Sequence, residues 1–157
     1  MIKFRYNGEA VGKGRPRVTA TKSKRNDNGQ IYTHAYTPRK TREFEDAIRF
    51  EFMASNCDPM PVYPKEIPLR VIVRIGVGIP KSYSKKKKEL CREGLLAPSK
   101  KPDLDNICKS IFDALQGRRN DPGYAFADDS QIVEMVAWKE YADEPFVEVV
   151  IDEYSRP

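Results

Sequence analysis

Histidine is almost missing from this chain: His34 is the single one in 157 residues. Cysteine is scarce too, and Cys57, Cys91 and Cys108 are odd in number, widely spaced and without a CxxC pair. Both shortages argue against a structural zinc centre and against a disulfide framework. One histidine does not plausibly serve a Ser-His-Asp arrangement, and no P-loop, HExxH or Gly-rich dinucleotide turn after a strand occurs. No run is apolar enough to cross a bilayer, and "MIKFRYNGEA" lacks the apolar stretch of a secretory signal. The expectation is a cytoplasmic protein with no membrane partner. Apolar residues make up 39% of the chain and charged residues 32%, and the length suits one domain, 1–157, with a modest core.

Charge is plentiful and unevenly spread. The net charge is only +5, but residues 11–42 carry nine Lys or Arg against Asp27 alone. Residues 79–101 carry eight against Glu89 and Glu93, while residues 121–157 carry two against ten acids. A basic front and an acidic rear suit a face for a polyanion, nucleic acid being the commonest. A solvated, charged surface is the plainer alternative.

Alternation of Ile2, Phe4 and Tyr6 predicts a first strand. A basic arm follows at about 11–36, with short paired segments at 17–20 and 30–34. Thr37-Pro38 opens a helix whose Phe44, Ala47, Ile48 and Phe52 form a core face. "LRVIVRIGVGI" at 69–79 is the clearest strand, and a short helix runs from Ser84 to a stop at Gly94. A further helix at 105–116 buries Cys108, Ile111, Phe112 and Leu115 and ends at Gly117. "QIVEMVAWKEY" and "PFVEVVIDEY" alternate strongly and are expected to form an antiparallel hairpin. The class is α+β: a small mixed sheet with that C-terminal hairpin, packed on two or three helices.

The chemistry gathers in "KKPDLDNICKSIFDAL" at 100–115 and "ADDSQ" at 127–131. A helix N-cap accounts for Asp105 and leaves Asp103 without a reason. Asp128 and Asp129 are adjacent like charges at the start of a strand, with no neutralising partner nearby in sequence. If that helix packs on that strand, the four aspartates could meet and offer the hard oxygens that Mg²⁺ takes. Lys109 lies one turn after Asp105, where spacing alone favours an i,i+4 ion pair of roughly 0.3–0.5 kcal/mol. Asp113 reads as a second rung of the same ladder. A carboxylate-held metal suits phosphodiester hydrolysis.

"KPDLDNICKSIFDAL" followed by "DDSQIVE" resembles the RusA family of Holliday junction resolvases, and "GKGRPR" and "YTPRKTREFEDAIR" resemble its longer branch. A lone DxD would be weak, whereas the joint DLDN…K…DAL…DDxQ pattern is specific. The resemblance implies a homodimeric, Mg²⁺-dependent endonuclease, with Mn²⁺ suited to the same ligands, that nicks opposing strands of four-way DNA junctions. It implies that Asp103, Asp105 and Asp129 are the essential metal-binding acids, that Asp128 is a supporting acid, and that Lys109 is the catalytic lysine. Lys13, Arg15, Arg17, Lys85, Lys86, Lys87, Lys88, Lys100 and Lys101 are candidates to grip DNA arms. Tyr32, Tyr36 and Phe126 are candidates for stacking at an opened base pair, with core packing the competing role. A non-catalytic module for branched nucleic acid is the alternative. It has little use for four clustered negative charges facing a phosphate backbone.

Overall fold

The computed structural model describes residues 1–22, 31–55, 63–117 and 123–156, with the backbone alone for 21, 22, 31 and 32. Tyr32's side chain, Cys57 and residues 118–122 of the loop before Asp128 lie outside that description. The elements in order are β1 (Ile2–Asn7), β2 (Arg17–Lys22), β3 (Ile31–Tyr36), α1 (Arg39–Ser55), β4 (Leu69–Gly78), α2 (Lys85–Arg92), α3 (Leu104–Leu115), β5 (Ile132–Ala142) and β6 (Phe146–Glu153). β2 and β3 form their own antiparallel pair, Arg17 opposite Tyr36. The other four strands make one mixed sheet in the order β1-β6-β4-β5. The expected α+β class is what the chain adopts.

β4 organises the sheet. Leu69, Val71, Val73 and Ile75 alternate along it and are fully buried, so it takes the centre, where both of its edges are paired. It runs parallel to β5 and antiparallel to β6. The two C-terminal strands are therefore antiparallel in direction, but the expected hairpin between them does not form, because β4 lies between. Their short link, 143–145, has only to cross one strand, about 10 Å, which three residues can span. One sheet face packs against α1, through Phe44, Ile48 and Phe52, and α3, through Ile107, Ile111 and Leu115. The Phe4 and Phe52 rings meet edge to face at 5.9 Å. α2 starts at a Ser84 cap, whose hydroxyl accepts the Lys87 N–H. It stops before Gly94, whose φ of 74° is a left-handed conformation.

The opposite sheet face is a charge lattice. Arg5 pairs with Glu148 at 2.7 Å, and Arg74 with Glu140 at 2.6 Å and Glu148 at 3.3 Å. Both guanidinium groups lie over the Phe146 ring, at 4.0 and 5.3 Å from its centroid. That ring crosses the backbone of Gly76, its β4 partner, and a Cβ there would run into it. Gly76→Ala should cost about 1–3 kcal/mol in urea unfolding, and Phe146→Ala in the same chain should recover part of that loss. A Gly76→Ala protein as stable as the parent would show that the ring yields freely.

Candidate active site

α3 is set by its apolar stripe. Ile107, Cys108, Ile111, Ala114 and Leu115 are buried, which leaves Asp105, Lys109 and Asp113 on the wet side. The N-cap is Asp103, not Asp105 as the sequence suggested, and the Asp103 side chain makes no capping hydrogen bond. Helix formation therefore gives that carboxylate no structural task. Asp105 sits in the first turn, 3.5 Å from Lys109, with both side chains about two-thirds exposed. Behind them Cys108 is a free thiol pushed up to about 11, by burial first and then by the Asp105 charge, and so is unreactive.

Two lysines clamp this helix mouth. The Lys13 backbone N–H donates to the Asn106 carbonyl at 2.9 Å. Its ammonium bridges Glu45 at 2.7 Å and Asp113 at 2.5 Å. Burial alone would lower the Lys13 pKa, but the hydrogen bonds it donates to Asp113 and Glu45, with the charges of those carboxylates, outweigh it and the net shift is upward. Asp113 therefore belongs to Lys13 and is not a second rung with Lys109. From the other side, Lys139 on β5 donates to the carbonyls of Lys100 and Pro102 at 2.9 and 3.0 Å. Between the clamps lies an open hollow of about 370 Å³, lined by Gly12, Lys13, Lys101, Pro102, Asp103 and Asn106.

The other acid pair lies at the opposite end of the helix. Gln116 and Phe126 form a bridge, the Gly117 N–H reaches the Phe126 carbonyl at 2.7 Å and the Ala125 N–H reaches that of Leu115 at 2.9 Å. This strand-like pairing, with no left-handed glycine at 117, ends α3. Asp128 caps a single 3-10 turn, Asp129–Gln131, by accepting the Ser130 N–H at 2.9 Å, and hydrogen bonds from the Ser130 hydroxyl first and this N–H second hold its carboxyl below the ordinary range. Gln131 is buried. Its side-chain oxygen accepts from the N–H groups of Ala127 and Asp128, and its amide donates to the carbonyls of Pro64 and Ile67 at 2.7 and 3.0 Å. Only the Asp129 side chain of "DDSQ" is exposed and without a hydrogen-bond or ion-pair partner among the described residues.

The expected meeting of four aspartates thus does not occur within one protomer. α3 separates the pairs by its own length, about 18 Å for twelve residues, and no group of three potential metal ligands forms among the described residues. Each pair supplies hard carboxylate oxygens and neither completes a shell, so the donor chemistry fits Mg²⁺ or Mn²⁺ while each end offers half a site.

Of the cationic candidates, Lys13 is occupied by its acids. Arg15, Arg17, Lys85, Lys86, Lys87, Lys100 and Lys101 are exposed, and Lys88 is half-exposed. Among the aromatic candidates, Tyr36 is 39% exposed and Phe126 is fully buried, packed edge to face on Phe112. Phe126 is therefore core and not a stacking residue. Sequence reading passed over Gln131 and Lys139. Asp128-x-x-Gln131 is a capping-box spacing and was a usable signal. Lys139 had none, because its partners are backbone carbonyls far away in sequence.

A family model described as endodeoxyribonuclease RusA matches residues 7–152. The protein YqaN of Bacillus subtilis strain 168 is 37% identical over 156 residues, which is 98% of this chain and 97% of that protein.

Gln131 joins two segments through four bonds, so Gln131→Ala should destabilise the fold by roughly 2–4 kcal/mol in denaturant unfolding. A loss under half a kilocalorie would mean that water replaces the amide. The Asp128 carboxyl is depressed in the folded state, so its contribution is full above the ordinary aspartate range and lost as pH falls through the depressed value. Asp128→Ala should therefore fall short of the parent at pH 7, and the gap should narrow as pH falls through and below the ordinary aspartate range.

Proposed function

The chain belongs to the RusA endodeoxyribonuclease family, and from that membership we propose that it resolves four-way DNA junctions by metal-assisted phosphodiester hydrolysis. The observation that carries this reading is the state of three motif acids. The Asp103 side chain makes no capping bond, the Asp129 carboxylate has no partner among the described residues, and the Asp105 carboxylate has only an exposed lysine. Structural duties explain Asp128, Asp113 and Gln131 and leave these three for chemistry. In this reading Asp103, Asp105 and Asp129 hold Mg²⁺ or Mn²⁺, and Asp128 fixes the direction of Asp129 through its cap. A divalent ion bound by such carboxylates lowers the pKa of water and neutralises charge developing on the phosphate. Lys109 Nζ, beside Asp105, supplies a proton-bearing cation for a phosphate oxygen. Lys13 and Lys139 keep the helix mouth in place while the strand is held, and Arg15, Arg17, Lys100, Lys101 and the lysine run at 85–88 make the basic face that attracts the flanking DNA.

The separation of the acid pairs supports a homodimer with shared sites. β5 is an edge strand, and Val133 and Met135 on it are 56% and 49% exposed, an apolar edge that a soluble protein ordinarily covers. Antiparallel pairing of two such edges about a two-fold axis sets the start of one β5 against the end of the other. The start carries Asp129. The end carries Lys139, which binds the turn before Asp103. Each pair of one copy would then face the complementary pair of its partner.

Cleavage of labelled four-way junction, with linear duplex as control, tests the activity. Paired nicks should appear with Mg²⁺ and vanish with EDTA. Asp103→Asn, Asp105→Asn or Asp129→Asn should each lose on the order of 100-fold or more in rate. Junction binding without cleavage in either metal would reduce the chain to a binding module. Mixing Asp105→Asn with Asp129→Asn protein separates shared from private sites. Shared sites leave one intact composite per mixed dimer, so single nicks return; private sites leave the mixture as inactive as its parts.

A further inference from the structure

α2 buries only Cys91, yet it is tied to the end of β5. Its Arg92 pairs with Asp143 at 2.9 Å and with Glu89 at 3.4 Å, and the hydroxyls of Tyr83 and Tyr141 share a hydrogen bond of 3.2 Å. The four consecutive lysines it carries, 85–88, make no ion pair with a described residue. Ordering adjacent ammonium groups with no anion between them is unfavourable, and this fold accepts it beside the end of β5. Lys87 differs from its neighbours, because its ammonium turns inward and lies 3.9 Å from the centre of the Tyr83 ring.

Below it a cleft of about 180 Å³ is lined by Tyr83, Lys87, Leu96, Ser99, Lys100 and Tyr141, among others. Lys100 also lines a neighbouring hollow of about 210 Å³, which contains Lys101, Pro102 and Lys139. Lys101 and Pro102 in turn line the hollow that holds Asp103. Shared walls therefore connect the tyrosine pair to the acid at the helix mouth along a path with a lysine at each step.

We propose that the Tyr83–Tyr141 cleft is a phosphate subsite for the DNA strand that flanks the cut, with Lys87 and Lys100 as its cations. The proposal rests on the reading of the chain as a junction endonuclease. When one phenol of the pair donates to the other, the acceptor keeps its own O–H free to donate to a phosphate oxygen. Ser99 adds another hydroxyl to the wall, and Leu96 narrows the cleft on its apolar side. The Tyr83 hydroxyl is drawn below its ordinary pKa, first by the Tyr141 hydrogen bond and then by Lys87 and Lys100, while Tyr141 is pushed up to about 12. Either hydroxyl can donate within the pair, and in both cases one O–H is left to point into the cleft beside Lys87 and Lys100. Lys85, Lys86 and Lys88 are absent from this wall, so the lysine run divides into one contact residue and three solvated neighbours.

The test is fluorescence anisotropy of the full chain with labelled four-way junction in EDTA, across a salt series. Lys87→Gln and Lys100→Gln should each reduce the slope of log affinity against log salt by about one. Lys3→Gln, the same charge change on the far edge strand, should leave it alone. Tyr83→Phe with Tyr141→Phe should weaken binding several-fold at every salt with the slope kept. Equal slope changes from all three lysines would mean diffuse attraction and overturn the subsite, as would no change at Lys87 and Lys100, or a parent chain that does not bind the junction. Binding without cleavage would sink the catalytic reading and leave this site standing, so the two can fail separately.

Discussion

One apolar face and two polar ends hold α3, and the position of every candidate catalytic group follows from that. The stripe from Ile107 to Leu115 seals the helix to the sheet. At its mouth the clamps come from far away in sequence, Lys13 from the arm and Lys139 from β5. At its tail the chain from Tyr124 to Phe126 zips onto Gln116 and Gly117. A helix pinned in this way is a ruler. It sets the distance between the two acid pairs and prevents either from drifting to the other by local rearrangement. The fold thus imposes a separation of about one helix length between the two acid pairs.

The same economy sorts the charges. The acidic C-terminal tract looks like a separate pole in the sequence, but part of it is matched in space. Glu134 meets Arg70, Glu140 and Glu148 meet Arg74, Glu148 also meets Arg5, and Asp143 meets Arg92. Each is a partly exposed pair contributing up to about 1 kcal/mol, and together they make one sheet face neutral without making it apolar. Little of the basic excess at 79–101 is matched in this way; Arg92 is its paired member among the described residues. The asymmetry that matters for a polyanion is therefore local to α2 and the turn before Asp103.

Much of this was legible in the sequence. Alternation found β1, β4, β5 and β6, helical spacing found the core faces of α1 and α3, and the Ser84 and Gly94 boundaries of α2 were read correctly from cap chemistry. Periodicity could not supply pairing. The two C-terminal strands look like a hairpin because three residues separate them, and only the burial of β4 on one whole face decides that it sits between them. The acids were identifiable as a set, but their distribution was not, since "if the helix packs on the strand" leaves open which end meets which. Lys13 was read as a free cation because its two carboxylates lie on α1 and α3, far along the chain. Asp128 and Asp129 differ in the sequence only through the family resemblance, and the Gln131 box supplies the physical difference by assigning Asp128 to the backbone.

The Asp105–Lys109 contact resolves the puzzle of two close acids at a helix mouth. With no cation present, Asp103 and Asp105 would repel, and the positive end of the α3 dipole offsets only part of that, about 0.3–1 kcal/mol at an exposed site. The Lys109 ammonium, 3.5 Å from Asp105, supplies the remainder as a resident counter-charge. An ion pair this exposed is weak, worth up to about 1 kcal/mol, so it balances the helix mouth without locking either side chain in place. The i,i+4 spacing favours that pair in the sequence, and the pair is what the fold contains.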